Sequence, residues 1–117
     1  MPAWHHRVTR GDDYRRVVRT GDRVGGAYCI TYAVPRAVDG PEPQPVRFGY
    51  IVSKAVGNAV TRNLVRRRLK SISDELIAEG LGDLDVVFRA LPKAAQADFT
   101  ELRSETRRAI GRVRSRS

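Results

Sequence analysis

The chain is organised around one stretch, GNAVTRNLVRRRLK, which spans residues 57–70. Five of the nine residues 62–70 are cationic and none is acidic. Like charges three or four positions apart on a helix repel each other, so a cluster of one sign destabilises the folded protein unless a polyanion lies against it. The abundant polyanion inside a cell is nucleic acid. This stretch therefore predicts a nucleic-acid-binding helix.

A long helix is predicted over residues 58–79, with Gly80 ending it. Its buried stripe consists of apolar residues at intervals of four, three and four positions: Val65, Leu69, Ile72 and Leu76. A row of cations lies beside that stripe: Arg62, Arg66 and Lys70. Asn63 and Arg67 fall farther round on the solvent side, and Arg68 falls on the opposite flank. The row repeats about every 6 Å of helix rise, a spacing that suits the phosphates of a folded nucleic acid.

The flanking sequence predicts an α/β fold. A short helix is capped by Asp12 and ends at Gly21, which we expect in the left-handed conformation. Alternating patterns predict strands over residues 27–34 and 46–53, and a short apolar run predicts another over residues 84–89. Residues 35–45 contain four prolines and predict a long exposed hairpin loop between the first two strands. A capping box from Asp98 to Glu101 opens a last helix. Its inward-facing residues are Phe99, Leu102, Thr106 and Ile110, and residues 112–117 are expected to fray.

Composition limits the class of protein. The chain has 117 residues, of which 41% are hydrophobic, and this suits one folded domain over residues 1–117. Its 22 basic and 13 acidic residues give a net charge of +9, which predicts an anionic partner. No segment has the length and apolarity of a membrane span or a secretory signal. Cys29 is the single cysteine and is expected in the core, so a reducing cytoplasm is the predicted location.

Residues 53–70 resemble the signature of the bacterial ribonuclease P protein subunit. The resemblance lies in the order SKxVGNAVxRNxVRRxLK. Residues 13–21, which read DYRRVVRxG, resemble the first helix of that family. The proline-rich loop and the chain length also agree, so that the resemblance covers the whole chain.

This resemblance implies a small protein that assists a catalytic RNA. In that family the RNA, with bound Mg²⁺, removes the 5′ leader from precursor tRNA. We expect no catalytic residue and no metal site in this chain, because its sequence shows neither. The implied partners are the catalytic RNA and precursor tRNA, with no DNA or membrane partner. The implied fold is α/β with the element order α-β-β-α-β-α. It includes a left-handed βαβ crossover around the arginine-rich helix, an exception to the usual right-handed rule.

The family's functional positions carry over to two sets of residues. The positions that match the catalytic-RNA-binding motif are Lys54, Asn58, Arg62, Asn63, Arg66, Arg67 and Lys70. The positions that match the leader-binding cleft are Tyr14, Arg15, Val18, Tyr32 and Ser53. Tyrosine rings offer faces on which unpaired bases stack, and arginines bind phosphates. For both tyrosines, packing in the core is an equally simple interpretation.

Three positions depart from the family pattern. Leu64 stands where a second arginine commonly follows the asparagine, so that one phosphate contact is missing. Val18 replaces a usual phenylalanine and reduces the stacking surface expected in the cleft. Ala55 replaces a position that is often basic.

Two other classes of function are possible for a basic chain of this size. A stand-alone nuclease needs a general base or a carboxylate cluster that holds a metal. Asp83 and Asp85 could form such a pair, although a surface turn is the simpler interpretation. His5 and His6 have no second ligand cluster at a useful spacing. A ribosomal-type or DNA-binding module is the other alternative, but strand residues occupy the place of the first helix of a helix-turn-helix.

Overall fold

The computed structural model describes residues 7–8, 11–36 and 44–115. His5 and His6 lie outside this part of the chain. The elements, in chain order, are α1 (Gly11–Thr20), β1 (Asp22–Gly25), β2 (Cys29–Pro35), β3 (Arg47–Ile51), α2 (Ala59–Ala78), β4 (Leu84–Ala90), a 3₁₀ turn (Pro92–Ala95) and α3 (Phe99–Ser115). The α/β class is therefore confirmed.

Four strands form one sheet in the order β1-β2-β4-β3. β2 is antiparallel to both β1 and β4, whereas β3 runs parallel to β4. The prediction that β2 and β3 pair as a hairpin is wrong, because β4 lies between them. The chain leaves β3 through α2 and returns as β4 into that gap. Six of the seven residues of β4 are buried, which suits a central strand. Most of the predicted hairpin loop, residues 37–43, lies outside the described residues.

The strand β1 was missed by the sequence analysis. It has four residues, of which only Val24 is buried, so its pattern gives little signal. The helix before it does not end in the predicted way. Gly21 does not have a positive φ. A Cβ at Gly21 would lie 2.5 Å from the Val17 carbonyl oxygen and 2.8 Å from that of Ala33, so this glycine permits a close approach of two backbones.

The main core lies on the sheet face covered by α2 and α3. Its largest side chains are Phe48, Phe88, Leu69, Ile72 and Leu102. The rings of Phe48 and Phe88 stack with their centroids 5.8 Å apart. Cys29 belongs to this core, as predicted, and burial raises the pKa of its thiol to about 12. On the opposite face, α1 covers a smaller cluster formed by Val17, Tyr32 and Val87.

Helix α2 has the predicted stripe and the predicted ends. Val65, Leu69, Ile72 and Leu76 are all buried. The Asn58 side chain caps the first turn by accepting a hydrogen bond from the Thr61 amide at 2.9 Å. Gly80 has a φ of +91°, and the Leu81 amide after it donates to the Leu76 carbonyl at 3.1 Å.

Helix α3 begins with the predicted capping box. The Glu101 amide donates to Asp98 at 2.7 Å, and the Asp98 amide donates to the Glu101 carboxylate at 3.0 Å. The expected fraying from Arg112 onward is wrong for the described residues, because α3 continues to Ser115. Val113 is buried and holds this last turn against the core. No helix in the described part of the chain combines the length and apolarity that crossing a membrane requires.

Candidate nucleic-acid interface

The first three turns of α2 carry cations that the protein does not neutralise. Arg66 and Arg67 are exposed, as is Lys54 in the turn before the helix, while Arg62 and Lys70 are half-buried. None of these five forms an ion pair with a carboxylate of the described residues. Like charges at this density repel each other. The arrangement therefore favours the approach of an anion with several charges.

Arg62 also holds a donor that the protein leaves unsatisfied. Its Nε is the only buried side-chain nitrogen or oxygen in the described residues that lacks a hydrogen-bond partner. An unsatisfied buried donor costs about 1–3 kcal/mol. A phosphate or carbonyl oxygen that reached this nitrogen would remove that cost.

Two asparagines predicted to contact RNA are also engaged within the helix. The Asn58 side chain uses its carbonyl oxygen for the cap on Thr61, which leaves its amide group as a donor. The Asn63 carbonyl oxygen accepts from Arg66 Nη1 at 3.1 Å, so its amide group is likewise the part that can donate outward. Both side chains are exposed.

The turn between β3 and α2 places Lys54 beside the start of the helix. The Gly57 amide donates to the Lys54 carbonyl at 3.2 Å and closes this turn. Gly57 has a φ of +156°, a conformation that glycine adopts more readily than other residues. Ser53 and Lys54 are both exposed here.

Arg68, on the opposite flank of the stripe, has a structural contact instead. Its Nη1 donates to the Ala97 carbonyl at 2.7 Å and ties α2 to the segment before α3. Farther along α2, Glu75 accepts from Arg103 at 2.7 Å, and Glu79 accepts from Arg107 at 2.6 Å. Glu75 and Glu79 thus bind α3.

A cleft of about 430 Å³ lies between α1 and the sheet. Its walls are Tyr14, Arg15, Val18, Arg19 and Ile51. The Tyr14 hydroxyl accepts a hydrogen bond from the Tyr50 amide at 3.2 Å. The ring crosses the strand at Gly49, where a Cβ would lie 2.6 Å from Tyr14 Cε1.

Tyr32 does not offer an open ring in this cleft. It is 4% exposed and packs with Val17 and Val87 below the cleft. Its ring face is closed to a nucleobase in this conformation, and core packing describes its contacts. Val18 is half-buried at the cleft wall. The cleft therefore joins Tyr14, Arg15 and Val18, whereas Ser53 is not among its lining residues.

Arg89 is a residue that the sequence analysis missed. It is exposed in β4 and pairs in register with Ile30 on one side and Ile51 on the other. Because side chains alternate along a strand, it lies on the same face as Val87, toward the cleft. Arg89 is the single cation in the predicted strand over residues 84–89, and this was the signal that the sequence offered.

The hypothesis that Asp83 and Asp85 bind a metal is wrong. The alternative, that Asp85 lies in a surface turn, is also wrong. Asp85 is 1% exposed and its carboxylate is surrounded by arginines. Arg47 binds it through two nitrogens at 2.7 and 2.8 Å, Arg16 lies at 2.5 Å and Arg36 at 3.7 Å. Burial alone would raise the pKa of Asp85, but the hydrogen bonds from Arg47 and Arg16 hold it below its usual value.

The comparisons with known proteins give the family. The sequence model of the Ribonuclease P family matches residues 3–114. The chain belongs to the ribonuclease P protein family. It is 45% identical over 113 residues to the ribonuclease P protein component of Clavibacter michiganensis subsp. michiganensis, covering 97% of this chain and 96% of the relative. It is 41% identical to that of Acidothermus cellulolyticus, covering 92% and 88%.

Solved structures of ribonuclease P proteins have the same fold. The Staphylococcus aureus protein superposes with a TM-score of 0.76 at 21% identity, covering 92% of this chain and 96% of that one. The Thermotoga maritima protein gives 0.77 at 19% identity with the same coverage. As a ribonuclease P protein, the chain is a subunit of the RNA-based endoribonuclease that processes tRNA, and its partner is RNA. The handedness of the β3-α2-β4 crossover stays a prediction of the resemblance.

Proposed function

We propose that the outer face of α2 binds the catalytic RNA of ribonuclease P. The observation that carries this proposal is the row of unneutralised cations from Lys54 to Lys70, with the unsatisfied Nε of Arg62 among them. Phosphates supply the missing negative charges, and each contact releases bound counterions. The amide groups of Asn58 and Asn63 add donors for ribose or base oxygens.

The cleft between α1 and the sheet binds the single-stranded 5′ leader of precursor tRNA in this proposal. Tyr14 supplies a ring for an unpaired base, and Val18 and Ile51 supply apolar walls. Arg15 and Arg19 at one side and Arg89 at the other supply cations for the leader phosphates. Arg15 is also held by Asp12, an exposed ion pair that a phosphate can replace at little cost. Ser53 lies at the margin of the cleft, and the buried Tyr32 forms its base.

Cleavage is carried by the RNA with Mg²⁺ in this proposal. The described residues contain no group of three or more histidine, cysteine or acidic side chains that could hold a metal ion. The proposal assigns Mg²⁺ to the RNA on the family resemblance, and it gives the protein residues the roles of binding and orienting. The protein's charge favours assembly of two RNAs that repel each other.

The test is cleavage of a precursor tRNA by the reconstituted particle. Protein alone should not cut, the catalytic RNA should cut at high Mg²⁺, and the protein should raise cleavage at low Mg²⁺. Arg107, which is neutralised by Glu79, provides a control for charge. Arg107→Ala should retain the stimulation, and Arg66→Ala combined with Arg67→Ala should lose most of it. Cleavage by the protein alone would favour a nuclease, and unchanged cleavage on adding protein would favour a general RNA-binding module.

A further inference from the structure

An exposed apolar strip interrupts the cationic face of α2. Val60 is 78% exposed and Leu64 is 42% exposed, and they are the large apolar side chains that the described residues leave open to solvent. Residues four apart on a helix are neighbours, so the two side chains form one strip. Together with Asn63 and Arg67 they line an open groove of about 340 Å³.

Phosphate contacts do not explain this strip. An isopropyl or isobutyl group gains nothing from a hydrated phosphate, whereas the flat face of an unpaired base is apolar enough to pack on it. Neither side chain belongs to the two buried clusters of the protein. Both side chains therefore face outward, toward the partner that covers the cationic face.

We propose that the groove between Val60 and Leu64 receives one unpaired nucleobase of the catalytic RNA. This inference rests on the proposed function of α2. Asn63 lines the groove with its carbonyl oxygen already bound to Arg66, so its amide group donates to an acceptor on the edge of the base. Arg67 lines the same groove and is exposed without an ion pair among the described residues, and it binds the phosphate next to that base.

Charge identifies the occupant as RNA and not as a protein segment. The groove is lined by Arg67 and lies next to the row formed by Arg62, Arg66 and Lys70 on the solvent side of α2. None of these four has a carboxylate partner in the described part of the chain. An apolar protein segment would leave these charges unneutralised. A nucleotide supplies both an apolar face and a negative charge within a few ångströms.

Leu64 is also the position at which the sequence departs from the arginine common in the family. The departure exchanges a phosphate contact for a base contact in this proposal. Leu64 and Val60 should accordingly contribute affinity that does not depend on salt, because packing on a base releases no counterions.

Affinity for the catalytic RNA as a function of salt concentration tests the proposal. Leu64→Gln and Val60→Thr are polar substitutions at exposed helix positions, so folding should be retained. Each should weaken binding by roughly three- to ten-fold at every salt concentration and leave the slope of log affinity against log salt unchanged. Arg67→Ala should instead reduce that slope. Unchanged affinity, or a changed slope, in Leu64→Gln and Val60→Thr would overturn the inference.

A second measurement locates the base. Chemical probing of the RNA should find a nucleotide whose base is protected by the wild-type protein and not by Leu64→Gln. An abasic substitution at that nucleotide should remove the affinity difference between the two proteins. If the difference persists, or if these variants bind RNA normally and lose a protein partner instead, the groove is not a base site. Failure of the wild-type protein to prefer the catalytic RNA over an unrelated folded RNA would contradict the proposed function itself.

Discussion

At the scale of single residues, Asp85 is the acid that balances the arginine charges on the cleft side of the sheet. It is buried, and its carboxylate is surrounded by three arginines, one from α1, one from β3 and one that directly follows β2. Removing one member of a buried charge cluster leaves the others uncompensated. The Asp85 carboxylate thus holds the half-exposed Arg16 and the half-buried Arg47 against the sheet.

Replacing Asp85 by Asn should lower the free energy of unfolding by about 3–5 kcal/mol at neutral pH. The pKa of Asp85 is lower in the folded protein than in the unfolded chain, so its contribution is present above the unfolded pKa of about 3.9. That contribution is lost as the pH falls through the lower pKa of the folded state. Urea unfolding from pH 7 downward measures both effects.

Asp12 gives the matched control for this substitution. Its ion pair with Arg15 is exposed, so Asp12→Asn should change stability by less than about 1 kcal/mol. Equal effects of the two substitutions would contradict the structural role assigned to Asp85.

Gly49 determines where the Tyr14 ring can lie. Gly49→Ala places a methyl group 2.6 Å from Tyr14 Cε1, which forces the ring away from the strand. The preference for precursor over mature tRNA should then fall by several-fold, because a displaced ring stacks poorly. Competition binding to the reconstituted particle measures this preference. Gly25→Ala is the control, since a Cβ there has no atom within 4 Å, and it should leave the preference unchanged.

At the scale of elements, α2 has two functional halves. Its first turns carry the unpaired cations, and its last turns carry Glu75 and Glu79, which bind Arg103 and Arg107 of α3. Arg107 holds the pKa of Glu79 below its usual value. Glu75 and Glu79 are thereby occupied by α3, and they do not neutralise the row that faces outward.

The combined variant Arg62→Ala, Arg66→Ala and Lys70→Ala should bind the catalytic RNA with a weaker dependence on salt. Each lost phosphate contact should lower the slope by about 0.7 to 0.9. Filter binding across a range of salt concentrations gives the slope. Arg107→Ala removes an arginine that Glu79 already neutralises, so the slope of this variant should equal that of the wild type. A wild-type slope in the triple variant would show that this face does not touch phosphate.

The elements whose signals are local could be predicted from the sequence. The stripe of α2, its glycine end and the capping box of α3 each depend on neighbours within one helix. The order of the strands could not, because the insertion of β4 beside β2 is decided by the path of the whole chain. β1 was missed because its single buried residue, Val24, gives no alternation. The burial of Tyr32 likewise depends on α1 packing above it.

At the scale of the whole molecule, a short connection links the two proposed RNA surfaces. Ile51 is the last residue of β3 and lines the cleft, and α2 begins at Ala59. The turn between them is closed by hydrogen bonds from Val56 to Ser53 and from Gly57 to Lys54. If the two surfaces bind the leader and the catalytic RNA as proposed, this turn holds the two RNAs in one relative position, which cleavage requires.

Separate surfaces should give separable defects. Tyr14→Ala should reduce the preference for precursor over mature tRNA by about 1–3 kcal/mol, since one stacking face is lost, while leaving affinity for the catalytic RNA unchanged. Tyr14→Phe is the control, because it keeps the ring and loses only the hydroxyl that accepts from the Tyr50 amide.

Combining Tyr14→Ala with the triple α2 variant tests whether the connection acts as a fixed spacer. Residues without shared partners contribute independently, so the two defects should add within about 0.5 kcal/mol once the catalytic RNA is saturated with protein. Cleavage of precursor tRNA at limiting substrate and binding of mature tRNA measure the two terms. A combined defect that departs from the sum by more than this amount, in either direction, would mean that the two sets of residues share a partner. The cleft and the outer face of α2 would then be one surface, and their assignment to two RNAs would be wrong.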